Sequence, residues 1–212
     1  IAKQSPEAKL GLEEIAAQKA IKTSWLGDDF AYEVTEDNKL AITINDERYV
    51  TQIPSLQGQH QIENATLAVA ALAKINLCDM SKAIDGIAKA HWPGRIQKLI
   101  TGALVDIVQG TTIWLDGAHN AHGAEALVKT LQSKKWRIIM GALDTRPIGD
   151  FLAQLKPIAE HITAVTIPDQ PSALPAHDIR EAADNLGIQS DTAASVQAAL
   201  TAAQNADNIL IC

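Results

Sequence analysis

Cysteine is scarce in this sequence, and long apolar runs are missing. The two cysteines, Cys78 and Cys212, are too few and too far apart to suggest a disulfide framework or a cysteine-based zinc site. No uncharged apolar run approaches the ~20 residues that a membrane helix requires, and the first residues form neither a basic nor an apolar signal segment. We therefore expect a protein of the reducing cytoplasm that has no membrane partner.

An excess of positive charge is missing as well. The chain has 18 Lys and Arg residues against 25 Asp and Glu residues, which gives a formal net charge of −7. Binding to polyanions relies on clustered Lys and Arg. We therefore expect no nucleic-acid partner, and any contact with a phosphate must be local.

The sequence also has no glycine-rich phosphate loop. None of its 12 glycines lies in a G-x-x-x-x-G-K-[ST] segment, whose backbone N–H groups cradle the phosphates of ATP. In addition, the sequence stops on the apolar residues NILIC with no turn after them, which is unusual for a natural terminus. We therefore expect a fragment of a longer protein, cut at both ends.

The first part of the sequence predicts helices around an antiparallel ribbon. Residues 7–20 have apolar positions at helical spacing. Residues 30–53 consist of short β-rich runs separated by a polar turn at Asn45 and Asp46. Two further helices are predicted over residues 64–75 and 80–91.

The segment HWPGR, residues 91–95, separates this part from the rest. Proline disfavours an α conformation in the residue before it and glycine permits turn geometry, so we place a domain boundary between residues 91 and 92. Beyond it, strands and helices alternate, which predicts an α/β domain with a mostly parallel sheet. The predicted strands are 111–115, 136–143, 162–167 and 208–212, and the predicted helices are 121–132, 148–159, 177–186 and 195–203.

The strongest local signal for chemistry is LDGAHNAHG, residues 115–123, directly after the first of these strands. Ligands of open α/β sheets bind just beyond the carboxyl ends of strands. Asp116 can accept hydrogen bonds from sugar hydroxyls, Asn120 can cap the following helix, and His119 is then held at the rim of the site. The same residues can also serve only to cap and turn the chain.

His119 and His122 are spaced i, i+3, which would suit a pair of metal ligands. The sequence marks no third ligand for them, and we therefore predict no metal site.

Two other segments carry weaker signals. In HWPGR, a rigid turn can present Arg95 as a planar, permanently charged fork for a phosphate, although an exposed arginine after a turn is more often only solvated. In LQGQHQIENATLAVAAL, Asn64 is predicted to begin a helix. Its amide can pair with the edge of adenine, although an asparagine at a helix start is most often a cap.

Taken together and in order, HQIENA, HWPGR and LDGAHN resemble the folylpolyglutamate synthase and dihydrofolate synthase family of the Mur ligase superfamily. The resemblance extends over nearly the whole chain and includes WRIIMGAL and VTIPDQPSALP. It implies the end of a P-loop-type central ATP-binding domain over residues 1–91. Residues 92–212 would then form a Rossmann-like C-terminal domain.

The family's activity implies an ATP site with Mg²⁺, and an enzyme that ligates L-glutamate to a folate or dihydropteroate carboxylate through an acyl phosphate. By resemblance, Asn64 would contact adenine, Arg95 the phosphates, and Asp116 the ribose. His119 would lie near the incoming glutamate and the acyl phosphate. The phosphate loop and the Mg²⁺ ligands would lie upstream, so the fragment alone should be inactive, and we expect a monomer.

The chain departs from the family pattern at two places. Ala121 stands where the family usually has proline, which should be benign, and DTRPIGD stands where relatives often have a Lys-Asp pair. Two other functions stay open at this stage. One is a non-catalytic nucleotide-binding or scaffold domain, and the other is a Mur-type amide ligase that acts on a cell-wall precursor.

Overall fold

The computed structural model describes residues 1–76 and 78–212. It divides into two units, Ile1–His91 and Trp92–Cys212. The assignment of residues 1–91 to a central ATP-binding domain and of residues 92–212 to a C-terminal Rossmann-like domain stays a prediction. No helix in the described ranges has the length and apolar character needed to cross a membrane.

The first unit begins with a helix and a three-stranded antiparallel sheet, which confirms the predicted ribbon. Asn45 and Asp46 have φ of 49° and 66°, the left-handed conformation that a two-residue hairpin turn requires. Leu40, Ile42 and Ile44 of the middle strand all pack into the core of this unit, because alternate side chains of a strand lie on one face. The elements are α1 (Pro6–Gln18), β1 (Phe30–Val34), β2 (Lys39–Ile44) and β3 (Glu47–Gln52).

Two helices, α2 (Gln59–Ile75) and α3 (Met80–Lys89), complete the first unit. The predicted start of α2 at Asn64 is wrong, because the helix begins five residues earlier, directly after Gly58. The first turn of α2 is polar and gives no apolar pattern that would mark the helix start, although Gln61 is buried. Asn64 is therefore an exposed residue of the second helical turn rather than a cap.

The second unit is a six-stranded sheet with strand order β4-β5-β9-β6-β7-β8, in which only the β4–β5 pairing is antiparallel. The predicted α/β class with a mostly parallel sheet is confirmed. The elements are β4 (Gln97–Leu99), α4 (Ala103–Ile107), β5 (Thr112–Leu115), α5 (Ala121–Leu131), β6 (Trp136–Met140), α6 (Ile148–Leu155), β7 (Ala159–Ala164), α7 (Ala176–Asn185), β8 (Ser190–Thr192), α8 (Val196–Ala202) and β9 (Asn208–Ile211).

Helices cover both faces of this sheet, which gives three layers. Ile138 and Met140 of β6 pack with residues of α5, α6 and α7, whereas Ile139 packs with residues of α8. This alternation along β6 is what a parallel strand buried on both faces requires.

Three elements of the second unit were not predicted, namely β4, α4 and β8, and each has only three to five residues. The predicted helix over 148–159 ends at Leu155 instead, because Pro157 has no N–H with which to continue the helical ladder. The following strand starts three residues earlier than predicted, at Ala159.

Candidate functional site

The loop after β5 lies at the carboxyl end of the parallel part of the sheet, where α/β folds bind ligands. Its position is fixed by a hydrogen bond from the Asp116 N–H to the Ile211 carbonyl oxygen (2.9 Å) on β9. Asn120 is confirmed as the N-cap of α5, since its Oδ1 accepts from the Gly123 N–H at 2.8 Å. The loop is therefore held at both of its ends.

The side chain of Asp116 joins this loop to the HWPGR turn. Its Oδ2 accepts a hydrogen bond from the Ile96 N–H (2.8 Å), and its Oδ1 accepts one from the Ala118 N–H (2.7 Å). The residue is only 8% exposed. The two loops are also joined by the Gly117 N–H, which donates to the Gly94 carbonyl oxygen at 2.8 Å. The ribose contact of Asp116 stays a prediction.

The HWPGR turn is strained and well anchored. Gly94 has φ of 70° and Ile96 has φ of 47°. The left-handed conformation of Ile96, a β-branched residue, costs about 1–3 kcal/mol. The hydrogen bond to Asp116 and the burial of the Ile96 side chain in the core offset this cost. In addition, the Gly94 N–H donates to Oε1 of Gln97 at 2.9 Å.

Arg95 stands between these two anchored residues, and its side chain is exposed. Within the described part of the chain, its guanidinium has no hydrogen-bond or ion-pair partner. The backbone of Arg95 is thus fixed while its charged end is available to a ligand.

His119 is exposed on the same loop, with its Nδ1 3.0 Å from the Gly117 carbonyl oxygen. The tautomer with the proton on Nδ1 satisfies this contact and leaves Nε2 as the basic nitrogen. The described residues contain no group of three or more His, Cys, Asp or Glu side chains that could hold a metal ion.

A cavity of about 770 Å³ opens beside His119 within the second unit. Apolar residues such as Met140 and Phe151 line it, and its polar lining includes His122 and Arg146. Arg146 was not predicted to be a site residue, although its place after β6, next to β9 in the sheet, is the kind of position where α/β folds bind ligands. The cavity combines an apolar wall with one guanidinium, two imidazoles and the carboxylate of Asp150, and the guanidinium suits a carboxylate-bearing molecule.

Cys212 also lines this cavity. Burial, and to a lesser extent the negative charge of Asp116, raise the pKa of its thiol to about 12. The thiol is therefore protonated at neutral pH, and because the thiolate is the nucleophilic form, we assign Cys212 no covalent role.

Asn64 belongs to the first unit, whereas Arg95, Asp116 and His119 belong to the second. The Asn64 amide nitrogen donates to Oε1 of Gln61 at 3.3 Å. The Asn64 side chain lines a groove of about 320 Å³ between α2 and α3, whose other lining is mostly apolar. A mostly apolar groove with an exposed amide at its side is compatible with a purine base, and the adenine contact of Asn64 stays a prediction.

The N-cap at Asn120 is expected to contribute to the stability of the protein. We expect Asn120→Ala to lower the free energy of unfolding by about 0.5–2 kcal/mol, because the Gly123 N–H loses its acceptor. Asn120→Ser, which retains a capping oxygen, serves as the control and should lose much less. Urea unfolding monitored by circular dichroism measures both, and equal losses in the two variants would show that the cap contributes nothing.

Residues 94–212 match the family described as "Mur ligase, glutamate ligase domain". A similar relative is the dihydrofolate synthase/folylpolyglutamate synthase of Bacillus subtilis (strain 168), with 30% identity over 139 residues. The matched segment is 61% of this chain and 30% of that relative. The chain therefore corresponds to a minor part of this relative's length.

Two solved structures have the same fold. The Mycobacterium tuberculosis folylpolyglutamate synthase complexed with ADP matches with a TM-score of 0.81 and 21% identity, over 99% of this chain and 50% of that one. The Yersinia pestis bifunctional folylpolyglutamate synthase/dihydrofolate synthase with Mn, AMPPNP and L-glutamate bound matches with a TM-score of 0.74 and 19% identity. That match covers 95% of this chain and 47% of the Yersinia one.

The chain thus spans about half the length of these structures. The family match covers more than half of the chain and coincides with its six-stranded unit. The chain belongs to the Mur ligase family, and its residues 94–212 match the glutamate ligase domain of that family.

Proposed function

We propose that this chain is the C-terminal part of an ATP-dependent ligase that joins L-glutamate to the carboxylate of folate or dihydropteroate. Support comes from the family match and from relatives described as folylpolyglutamate and dihydrofolate synthases. The structural observation that carries the proposal is the anchored turn that holds Arg95 against the loop bearing Asp116 and His119, with no partner for its guanidinium among residues 1–76 and 78–212. Such an arrangement suits a phosphorylated ligand at the edge of the sheet.

In the proposed reaction, an oxygen of the folate carboxylate attacks the γ-phosphorus of ATP, the bond to the β-phosphate oxygen breaks, and ADP leaves. The amine of L-glutamate then attacks the acyl carbon, and the C–O bond to phosphate breaks. Activation is needed because a carboxylate is a poor electrophile. Arg95 stabilises the charge of the transferring phosphoryl group, a role in which a fixed cation lowers the barrier electrostatically.

The other site residues have supporting roles in the proposal. Asn64 contacts the adenine and Asp116 lies by the ribose. His119 is near the acceptor, where Nε2 can take the proton that the amine loses. Mg²⁺ would supply charge neutralisation at the phosphates, and we assign none of the described residues to it.

The cavity beside His119 is the proposed place for the amino acid. Its polar lining includes Arg146, which is exposed and has no ion-pair partner in the described ranges. A guanidinium binds a carboxylate through two parallel hydrogen bonds, so Arg146 suits one of the two carboxylates of glutamate. We further propose that the whole protein works as a monomer in the cytoplasm.

The test is ADP formation by the intact protein, measured in parallel with dihydropteroate and with tetrahydrofolate. We expect ADP release in at least one of these reactions, and only when L-glutamate is also present. A peptide-sugar precursor with its amino acid is the comparison substrate. ADP release with that substrate alone, or nucleotide binding without any turnover, would contradict the proposal.

A further inference from the structure

Gln61 is a buried polar side chain in the first turn of α2. It is only 8% exposed. It stands three residues before Asn64, so the two side chains are neighbours on one face of the helix. A buried side-chain amide is costly unless its polar atoms are hydrogen-bonded. Gln61 has a partner for each of its two polar atoms.

The hydrogen bonds of Gln61 have a defined direction. Its Oε1 can only accept, and it accepts from Nδ2 of Asn64 at 3.3 Å. Its Nε2 can only donate, and it lies 2.9 Å from Nε2 of His60, which is therefore the accepting nitrogen of that ring. The order of donors and acceptors along Asn64, Gln61 and His60 is thus set.

This direction determines which atom of Asn64 remains for a ligand. With Nδ2 turned toward Gln61, the Oδ1 atom of Asn64 receives no hydrogen bond from residues 1–76 and 78–212. Asn64 is exposed and lines the groove between α2 and α3. The groove therefore has a hydrogen-bond acceptor at its side, and the second hydrogen of Nδ2 remains available beside it.

We propose that Gln61 is a positioning residue that orients the Asn64 amide and thereby makes the groove select a 6-aminopurine over a 6-oxopurine. The inference rests on the proposed function, because it takes Asn64 as the adenine contact. An asparagine amide pairs with adenine by accepting from its 6-amino group and donating to a ring nitrogen. The 6-oxo group of hypoxanthine or guanine is an acceptor, and it would face the Oδ1 of Asn64.

Binding of a 6-oxopurine would require the Asn64 amide to rotate by half a turn. Its Oδ1 would then face Oε1 of Gln61. If Gln61 turned as well, its Oε1 would face the accepting nitrogen of His60. Two acceptors in contact with no hydrogen between them are costly, most of all in a buried place. The buried amide of Gln61 therefore resists the rotation of the exposed amide of Asn64.

Binding of ATP and of ITP to the intact protein, measured by equilibrium titration, tests this inference. The two nucleotides differ in the 6-substituent of the base and in the proton on N1. We expect ATP to bind about 10- to 100-fold more tightly than ITP. Gln61→Met keeps the length of the side chain but has no amide, so the Asn64 amide can rotate, and the ratio should fall below about threefold. Gln61→Glu retains an acceptor for Nδ2 of Asn64 and should keep most of the ratio.

Gln59→Met is the matched control. Gln59 lies in the same turn of α2 and donates to the Tyr32 hydroxyl at 2.9 Å, but it does not line the groove. This variant should keep the ratio of the unmodified protein. If Gln61→Met weakens ATP and ITP by the same factor, Gln61 only stabilises the helix and the proposal is overturned. A loss of the ratio in Gln61→Glu as complete as in Gln61→Met would also overturn it.

Asn64→Ala separates failure of this inference from failure of the proposed function. It should abolish the ratio, and in its background Gln61→Met should change the ratio no further, since both residues act through one amide. If Asn64→Ala abolishes the ratio and Gln61→Met keeps it, the adenine contact stands and the positioning role is wrong. If Asn64→Ala keeps the ratio, both are wrong. Because the titration needs no turnover, selective binding without ADP formation would place the failure in the ligase reaction alone.

Discussion

Replacing Arg95 by alanine in the intact protein is expected to lower kcat by about 100- to 1,000-fold, the usual cost of removing one donor that stabilises transition-state charge. The guanidinium is exposed and has no partner within the described residues, so its removal breaks no contact of the fold there. The free energy of unfolding should therefore change by less than about 0.5 kcal/mol. Steady-state ADP release and a denaturant titration measure the two effects.

Arg180→Ala is the matched control for this experiment. Arg180 is an exposed arginine of α7 whose side chain likewise lacks an ion-pair partner in the described ranges, and it does not line the cavity. It should retain turnover close to that of the unmodified enzyme. If Arg95→Ala keeps the same kcat as Arg180→Ala, Arg95 has no part in the mechanism.

Replacing Gly141 by alanine should destabilise the second unit by about 1–3 kcal/mol, the usual cost of overpacking. A Cβ atom at this position would lie 2.7 Å from Cγ1 of Ile167 and 3.1 Å from the carbonyl oxygen of Val165. Val165 cannot move aside freely, because its N–H is bonded to the Met140 carbonyl oxygen at 2.8 Å. The strain is therefore transmitted to the ends of β6 and β7.

Gly149→Ala tests whether this effect comes from crowding rather than from loss of a glycine as such. A Cβ atom at Gly149 would meet nothing within 4 Å, and alanine favours helix over glycine by up to about 1 kcal/mol. Thermal and denaturant unfolding should show equal or higher stability for this variant. A Gly141→Ala protein as stable as Gly149→Ala would mean that the close contact relaxes without cost.

The parts of the fold that local patterns encode could be predicted from the sequence. The antiparallel ribbon follows from β-rich runs around Asn45 and Asp46, and the parallel sheet follows from the alternation of strands and helices. The start of α2 could not be located in the same way, because its first turn is polar. Strands of three residues, such as β4 and β8, carry too few side chains to show a period.

Some features of the site could be predicted from local sequence, and others could not. The position of the loop after β5 and the cap at Asn120 follow from local sequence, because a cap contacts residues three positions away. The bond between Asp116 and Ile96 joins residues twenty positions apart, and no periodicity encodes such a pair. The same holds for Arg146, which shares a cavity with His119 only because β5 and β6 both flank β9.

The central place of β9 has a consequence for how the second unit forms. β9 follows the other five strands of its sheet in sequence, yet it lies between β5 and β6 and pairs with both. During synthesis, β4 and β5 leave the ribosome before β9 and do not pair with β6, β7 or β8. The pair β4–β5 and the group β6–β7–β8 therefore remain separate until β9 is available. Only when Asn208–Ile211 leaves the ribosome can one continuous sheet assemble, which makes its folding a late and cooperative event.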